Sequence, residues 1–424
     1  MADRATTSSS VYYDPFDKEI DVDPYPTFRR LRDEAPLYYN EKHDFYALSR
    51  FADVEGCERD WKTYISGKGS VLEAIRAVIQ LGVKIPPWII LFEDPPAHTM
   101  HRGLLSRVFT PKRMNAIEPQ VRAFCAASLD PLVGSGGFDF IADLAAEMPM
   151  KTIGMLLGIP DEDQAEIRDR IDASMRLDEH GNRIESEQPE MGALDGSGFA
   201  DYIDWRAEHP SNDLMTELLN AEFEDETGTT RKLTREETLN YVGLLAAAGN
   251  ETTTRLIGWT GKVLAENPDQ RAELVADRSL IPNAIEELLR FESPSPVQAR
   301  YVTTDVEHYG RTVPAGSIML ALTASANRDE RQFPDPDRFD IHRKIDHHVA
   351  FGYGIHFCLG AALARLEGRV ALDEVLDRFP TWEVDWDNAV QAHTSTVRGW
   401  EKLPVFTKGT SRRRRSFARS LREG

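Results

Sequence analysis

Apolar residues along this chain recur mostly with the three- and four-residue spacing of helices. The longest such run follows residues 234–237, a Thr-x-x-Glu capping-box sequence, and continues to the Asn267-Pro268 pair. At 1.5 Å per residue the run predicts one helix of roughly 50 Å, enough to cross a whole domain. A shorter helix is predicted for residues 283–291, ending before Pro294.

Strand patterns are confined to two places. They occur at residues 299–304 and at residues 313–323, around the Pro314-Ala315-Gly316 turn. The chain shows no internal repeat, and no linker rich in glycine, serine or proline divides it. The pattern therefore predicts a mainly α fold with a small β region, in one domain at residues 11–408.

Both ends of the chain are predicted to be disordered. Residues 1–10 are polar, and residues 409–424 form an arginine-rich tail. Inside the domain, the stretch of about residues 175–199 is rich in Gly, Asp and Glu and is predicted to form a mobile lid.

Composition narrows the class of protein. The 424 residues include 50 basic and 70 acidic side chains, and the formal charge of −20 argues against nucleic acid as a partner. Three cysteines predict no disulfide framework and a reducing compartment. We also expect a cytoplasmic protein without a membrane anchor, because the sequence has neither a signal peptide nor an apolar run of about 20 residues.

A further helix is predicted to begin just after a cysteine. Leu359, Leu363, Leu366 and Val370 are spaced by four, three and four residues, which is one face of a buried helix. Cys358 therefore lies at a helix N-terminus, where free N–H groups and the helix dipole favour a thiolate.

The segment around that cysteine is rich in glycine. Gly352, Gly354 and Gly360 allow tight turns and a close approach of the backbone to a flat ligand. A thiolate is the axial ligand of haem iron that favours O–O cleavage. The alternative is a buried free cysteine beside a glycine-rich turn.

The long helix carries a second unusual segment at its centre, residues 248–253. Gly249 costs about 1 kcal/mol there relative to alanine, and we interpret it as making room for a ligand beside the helix. Thr252 can bond a carbonyl one turn back and open the helix, with Glu251 relaying protons from solvent. The alternative is a solvated acid beside β-branched residues in a buried helix.

These segments resemble the motifs of the cytochrome P-450 monooxygenases. Residues 351–360 are similar to the haem-ligand signature of that family, and four further motifs occur in family order from about His98 onwards. The resemblance implies the cytochrome P-450 fold, a triangular prism-like helical domain with minor β-sheets. It also implies haem b (iron protoporphyrin IX), with Cys358 as the axial ligand of the iron.

The resemblance also implies roles for individual residues. Glu251 and Thr252 would be catalytic, as a proton relay, whereas Glu287 and Arg290 would be structural and anchor the segment near residues 333–339. The implied cofactor-binding residues are Cys358, His98, Arg102, Arg300, His356, Phe351, Gly352 and Ala248. Of these, four residues would contact the haem propionates: His98, Arg102, Arg300 and His356.

An apolar pocket is expected on the substrate side, formed in part by residues 71–92. The candidate pocket residues are Ile90, Leu244, Ala248, Val297 and Val397. The implied substrate is a hydrophobic small molecule such as a terpenoid, steroid, fatty acyl chain or aromatic compound, with O2 as co-substrate.

Electrons are expected from a separate ferredoxin and ferredoxin reductase, so that NAD(P)H acts only indirectly. We expect a monomer that docks an acidic ferredoxin through basic residues on the cysteine side. The candidate contacts are Arg107, Lys112, Arg113, Arg365 and Arg369.

Two other functions fit parts of this pattern. A peroxide-driven peroxygenase or a rearranging haem-thiolate enzyme needs no external reductant, but it has no use for an acid–alcohol pair. A non-catalytic haem protein that senses gas or stores ligand likewise needs no proton relay.

Overall fold

Helices make up most of the molecule, as the sequence pattern predicts. The computed structural model describes residues 11–85, 88–107, 109–161, 163–165, 167–169, 199–225, 227–394 and 397–407. About 52% of the chain is helical. The predicted disordered ends and almost all of the predicted lid lie outside the described residues.

The helices divide into an N-terminal, a central and a C-terminal group. The N-terminal group is Lys18–Val22, Tyr25–Glu34, Phe51–Arg59, Leu72–Leu81, Ala97–Ser106, Pro111–Ala116 and Glu118–Leu129. The central group is Met148–Leu157, Ala200–Glu208, Leu214–Asn220 and Arg235–Glu266. The C-terminal group is Pro268–Ala276, Ile281–Phe291, Thr323–Ala326 and Ala361–Arg378.

The helix Arg235–Glu266, here the long helix, begins and ends where the sequence predicts. Thr234 Oγ1 accepts a hydrogen bond from the Glu237 amide at 3.2 Å, and Glu237 Oε2 accepts one from the Thr234 amide at 2.7 Å. This reciprocal capping box satisfies two amides that would otherwise be unpaired. Pro268 then begins the next helix and prevents continuation.

The largest sheet has five strands. Its strand order is Leu37–Asn40, Phe45–Leu48, Ile318–Ala321, Gln298–Val302 and Tyr64–Ile65. The second and third strands pair in parallel, and the other neighbours are antiparallel. Two of the five strands fall in the segments predicted from sequence.

The expectation that strands occur in only two places is wrong. The remaining strands form small sheets, and each has three or four residues: Gly137–Asp139, Glu222–Glu224, Thr230–Lys232, Val306–His308, Arg311–Val313, Trp382–Val384, Val390–Ala392, Gly399–Lys402 and Pro404–Thr407. Segments of this length are too short for an alternating pattern to stand out from the surrounding sequence.

The helix Ala361–Arg378, here the cysteine helix, packs against the long helix. A Cβ added at Gly368 would lie 3.0 Å from Leu256 Cδ2, so glycine permits this close approach. Leu366 and Val370 are buried in the same cluster as Leu256. Each such side chain contributes about 2 kcal/mol on burial, which fixes the cysteine helix beneath the centre of the long helix.

A helix that crosses a bilayer needs about 20 mainly apolar residues. None of the helices in the described ranges is long and apolar enough to span a bilayer.

Candidate functional site

The loop that precedes the cysteine helix is held in one shape by its glycines. Gly352 and Gly354 have positive φ angles of 69° and 71°, which side chains rarely adopt. A Cβ at Gly354 would also lie 2.7 Å from the main-chain oxygen of Glu58. The Cys358 amide donates to the Phe351 carbonyl at 2.8 Å and closes the loop. Residues 351–360 are called the cysteine loop below.

Cys358 is exposed, but protein atoms desolvate its sulfur. Burial raises the pKa of the Cys358 thiol, and the Gly360 amide, Arg102 and Arg365 lower it by less. The Gly360 amide at the helix N-terminus therefore acts in the predicted direction, but the burial of the sulfur outweighs it. A metal cation at the sulfur would reverse the balance, since a coordinated thiol is deprotonated.

Two histidines meet beside this loop. His98 lies in the helix Ala97–Ser106, and its ring centroid is 4.3 Å from that of His356. The Nε2 atom of each ring is buried and has no hydrogen-bond partner among the described residues. Burial, followed by nearby positive charge, lowers the pKa of His98 to about 4 and that of His356 to about 2.

Two arginines add positive charge to the same place. Arg102 is one turn after His98, as predicted, and donates to the Phe357 carbonyl of the cysteine loop. Arg300, in the strand Gln298–Val302, is 5% exposed and donates to the Ala299 carbonyl at 2.8 Å. Neither arginine has a carboxylate within ion-pair distance in the described part of the chain.

These four side chains fit the carboxylates of a haem. Unpaired Nε2 atoms and unneutralised guanidinium groups require anionic acceptors when buried. Haem carries two propionates, which take charge-assisted hydrogen bonds from arginine and histidine. His98, Arg102, Arg300 and His356 would hold those propionates, while Cys358 would bind the iron.

On the long helix, Ala248 is exposed although most of its neighbours are buried. Thr252 Oγ1 donates to the Ala248 carbonyl at 3.2 Å, which is the bond to the preceding turn expected from the sequence. Its hydroxyl therefore lies beside the exposed Ala248. A side-chain bond of this kind competes with the main-chain hydrogen bonds of the helix and allows another donor or acceptor to bind there.

The interpretation of Gly249 as room for a ligand is wrong. A Cβ at this position would lie 3.4 Å from Ile153 Cδ1, in the neighbouring helix Met148–Leu157. Gly249 therefore faces a neighbouring helix, where a Cβ would make an ordinary van der Waals contact. Room for a ligand lies instead at Ala248, one residue earlier.

Glu251 does not face solvent. Its side chain is buried, and Oε2 accepts a hydrogen bond from Arg255 Nη2 at 2.5 Å. Arg255 also donates to the Trp400 carbonyl. The alternative of a solvated acid is therefore wrong, because an ion pair closes the outer side of the carboxylate. A relay from solvent would require this ion pair to open.

Sequence reasoning missed Glu367, a second acid beside the long helix. Thr253 Oγ1 donates to Glu367 Oε2 at 3.3 Å, and burial raises the pKa of Glu367 to about 8. Its position contained a signal: it is four residues after Leu363, on a face that is otherwise apolar.

Glu287 and Arg290 form a fully buried pair, with two contacts of 2.7 and 2.8 Å. Arg290 also donates to the carbonyls of Asn327 and Pro336 at 2.9 Å. The contact with Pro336 agrees with the anchoring expected for residues 333–339. Arg343, which the sequence reasoning missed, is the third member and lies 3.2 Å from Glu287 Oε1.

The candidate pocket residues do not all surround one cavity. Val297 and Val397 line a cavity of about 690 Å³, open mouth included, together with Phe28 and Leu72. The other three candidates are absent from that lining: Ile90 and Leu244 are buried in a separate apolar cluster, and Ala248 is exposed.

The candidate docking residues differ in their availability. Arg113 pairs with Glu217 at 2.7 Å, and Arg365 pairs with Glu286 at the same distance. Arg107, Lys112 and Arg369 make no ion pair with another described residue, and the first two are exposed.

Comparisons with known proteins agree with this arrangement. The cytochrome P450 family profile matches residues 198–398. A putative cytochrome P450 123 of Mycobacterium tuberculosis is 40% identical over 402 residues, covering 92% of this chain and 96% of the relative. The vitamin D(3) 25-hydroxylase of Pseudonocardia autotrophica is 36% identical over 405 residues, covering 94% and 98%.

A solved structure shows the same fold. Cytochrome P450 CYP109Q5 from Chondromyces apiculatus has a TM-score of 0.82 and 34% identity, and covers 94% of this chain and 99% of that one. Relatives this similar over nearly the whole chain share its fold and its type of chemistry. The chain therefore belongs to the cytochrome P450 family, whose members are oxygen-incorporating oxidoreductases with a haem-iron cofactor.

Proposed function

We propose that this protein hydroxylates a hydrophobic small molecule with one atom of O2. The observation that carries the proposal is Cys358 at the exposed cysteine loop, next to a partly buried cradle of His98, Arg102, Arg300 and His356 that has no anionic partner among the described residues. A haem b bound there would supply the oxygen-activating chemistry.

In this proposal Thr252 would hold a hydrogen-bond network on the haem side of the long helix. Its hydroxyl proton is directed to the Ala248 carbonyl, so its oxygen remains able to accept a bond from water. Glu251 supplies the proton after its contact with Arg255 opens to solvent. The ion pair excludes bulk water until that moment, which limits the loss of electrons to side reactions.

We propose that the electrons come from a separate ferredoxin and its reductase, with NAD(P)H as the primary donor. The supporting observation is that Arg107 and Lys112 are exposed and make no ion pair among the described residues. Arg107 directly follows the helix that contributes Arg102 to the cradle, and Lys112 lies in the next helix. An acidic partner would be attracted there despite the overall charge of −20.

For the substrate we propose a terpenoid, steroid, fatty acyl or aromatic compound. One relative is named as a vitamin D(3) 25-hydroxylase, and vitamin D(3) is therefore a reasonable first compound to assay. A screen of apolar compounds for a change in the haem absorption band reports binding without requiring turnover.

The proposal is tested by replacing the Thr252 hydroxyl. In Thr252→Ala, with a compound that the screen identifies, electron consumption should continue. The yield of hydroxylated product per electron pair should fall about tenfold or more, because proton delivery to the bound oxygen is lost. Thr252→Ser should retain most of the yield.

Thr260→Ala is the matched control. Thr260 Oγ1 donates to the Leu256 carbonyl at 2.8 Å, the same bond two turns further along the helix, but it is buried in the core. Its yield should equal that of the unaltered protein. An unchanged product yield in Thr252→Ala would refute the role given to Thr252. Equal turnover with peroxide alone would favour the peroxygenase alternative.

A further inference from the structure

Glu58 places a carboxyl group inside the protein without an ion-pair partner among the described residues. It lies near the end of the helix Phe51–Arg59 and is 3% exposed. Neither Oε1 nor Oε2 makes a well-formed hydrogen bond with a described residue, although the Tyr353 amide lies close enough to lower the pKa of the carboxyl. An unpaired buried carboxylate is costly, so this group is stable only if it can remain protonated or share a nearby positive charge.

Its surroundings belong to the haem side of the molecule. A Cβ added at Gly352 would lie 3.7 Å from Glu58 Oε2, and the Glu58 main-chain oxygen contacts the position of a Gly354 Cβ. Glu58 therefore packs against the cysteine loop through both its main-chain oxygen and its carboxyl group. It does not contact Cys358 itself.

Few groups act on the carboxyl electrostatically. Arg300 approaches from the sheet, the Tyr353 amide from the cysteine loop, and the neighbouring Cys57 thiol is itself kept neutral by burial. On the same helix, Arg59 pairs instead with Glu55 at 3.0 Å. Desolvation outweighs the favourable effects and raises the pKa of Glu58 to about 7.

Arg300 connects this carboxyl with the propionate cradle. Its charge acts on Glu58 and also on the His356 ring, and it has no carboxylate within ion-pair distance in the described ranges. An ionised Glu58 would therefore compete with a haem propionate for the same guanidinium. A protonated Glu58 would leave Arg300 to the propionate.

We propose that Glu58 binds a proton when the haem iron is reduced, and that it thereby makes the reduction potential of this protein depend on pH. The inference rests on the proposed haem site. One electron from a one-electron donor converts ferric to ferrous iron, and one proton from water binds a Glu58 carboxylate oxygen. The net charge of the buried site then stays constant.

The physical reason is the cost of adding charge in a medium of low dielectric constant. The electron adds negative charge to a site in which Glu58, when ionised, is already negative, and this repulsion raises the proton affinity of the carboxyl. By linkage, the same repulsion makes reduction easier at lower pH. Glu58 is thus a positioning residue that acts through Arg300 and the cysteine loop.

The test is a spectroelectrochemical titration of the haem-loaded protein between about pH 6 and pH 8. The unaltered protein should show a midpoint potential that falls as the pH rises, and Glu58→Gln should flatten this dependence. Glu55→Gln is the matched control, because this glutamate lies one turn earlier and is ion-paired with Arg59. It should keep the full slope.

A second measurement detects the bound proton directly, first in the unaltered protein and then in two variants. The reduced-minus-oxidised infrared spectrum of the unaltered protein should gain the C=O band of a protonated carboxyl group, and this band should shift in D2O. Glu58→Asp should move the band and Glu58→Gln should remove it. A flat potential in the unaltered protein, or a full slope in Glu58→Gln, would overturn the inference.

The two proposals fail in different ways. The CO complex of the reduced protein reports whether Cys358 binds the iron as a thiolate, and it requires no substrate. A thiolate spectrum with a pH-independent potential eliminates the role of Glu58 alone. A spectrum of imidazole type eliminates the proposed haem site and the role of Glu58 with it.

Discussion

Three glutamates place carboxyl groups in the interior around the site: Glu58, Glu251 and Glu367 are each at most 3% exposed. The motif in the long helix identified Glu251, but not its ion pair with Arg255. Nothing local marks Glu58 as unusual, and the local signal at Glu367 is its place on an apolar helix face, because the burial of an acid depends on which helices pack against it. For single residues, the sequence therefore predicts which chemical groups are present better than it predicts whether those groups are buried or paired.

Replacing Glu367 by glutamine should change how stability depends on pH. Burial raises the pKa of Glu367 to about 8, above the usual value of 4.5. The protonated form therefore stabilises the fold fully below that usual value, and this contribution is lost as the pH rises through about 8. The urea midpoint of the unaltered protein should therefore fall as the pH rises from about 4.5 to about 8, and this fall should be smaller in Glu367→Gln.

Glu266→Gln provides the comparison for that experiment. Glu266 lies at the exposed end of the long helix and pairs with Lys262 at 2.9 Å. Its removal should leave the pH profile unchanged above about pH 6. A Glu367→Gln profile parallel to that of the unaltered protein would contradict the assignment.

At the scale of elements, the long helix uses glycine for packing. A Cβ at Gly258 would lie 2.7 Å from Ile141 Cδ1, and a Cβ at Gly261 would lie 2.7 Å from ring atoms of the buried Phe140. Glycine usually weakens a helix, but here it allows the neighbouring elements to approach more closely. The sequence showed where the glycines are, but the partner of each depends on tertiary structure.

Gly261→Ala should therefore destabilise the protein by about 1–3 kcal/mol, because the Phe140 ring must move within a filled core. Gly56→Ala is the control, since a Cβ at that helical position meets nothing within 4 Å. It should be neutral or stabilise by up to about 1 kcal/mol. Urea unfolding measures both, and equal midpoints would argue against the packing explanation.

Helix ends were more predictable than strands. The Thr234 capping box and Pro268 determine the ends of the long helix through local hydrogen bonding, and both act as predicted. The helix Ile281–Phe291 begins two residues earlier than predicted, since Pro282 is compatible with a first turn. Short strands such as Gly137–Asp139 pair with residues more than 260 positions away, which no local pattern reveals.

For the whole molecule, the acidic net charge of −20 acts against an acidic partner. Two of the candidate docking residues, Arg113 and Arg365, are already engaged by carboxylates within the chain. In the proposed complex with an acidic ferredoxin, attraction must therefore come from basic residues that are not already neutralised.

The double variant Arg107→Ala, Lys112→Ala should slow reduction by a ferredoxin several-fold at low ionic strength, because both charges are free to attract the partner. Arg113→Ala should have a smaller effect, since its charge is already neutralised by Glu217. Stopped-flow reduction at two salt concentrations makes the comparison. A greater loss in Arg113→Ala than in the double variant would place the docking surface elsewhere.

The buried trio of Glu287, Arg290 and Arg343 has a consequence for protein engineering. The guanidinium groups of the trio donate to main-chain carbonyls at Asn327 and Pro336, among others. These bonds fix the number of residues that can lie between those carbonyls. Inserting or deleting one residue there would leave a buried guanidinium group without its hydrogen-bond partners, at a cost of several kcal/mol. Loop grafting and chimera crossovers should therefore avoid residues 327–343 and use the hairpin turn at Gly228 instead.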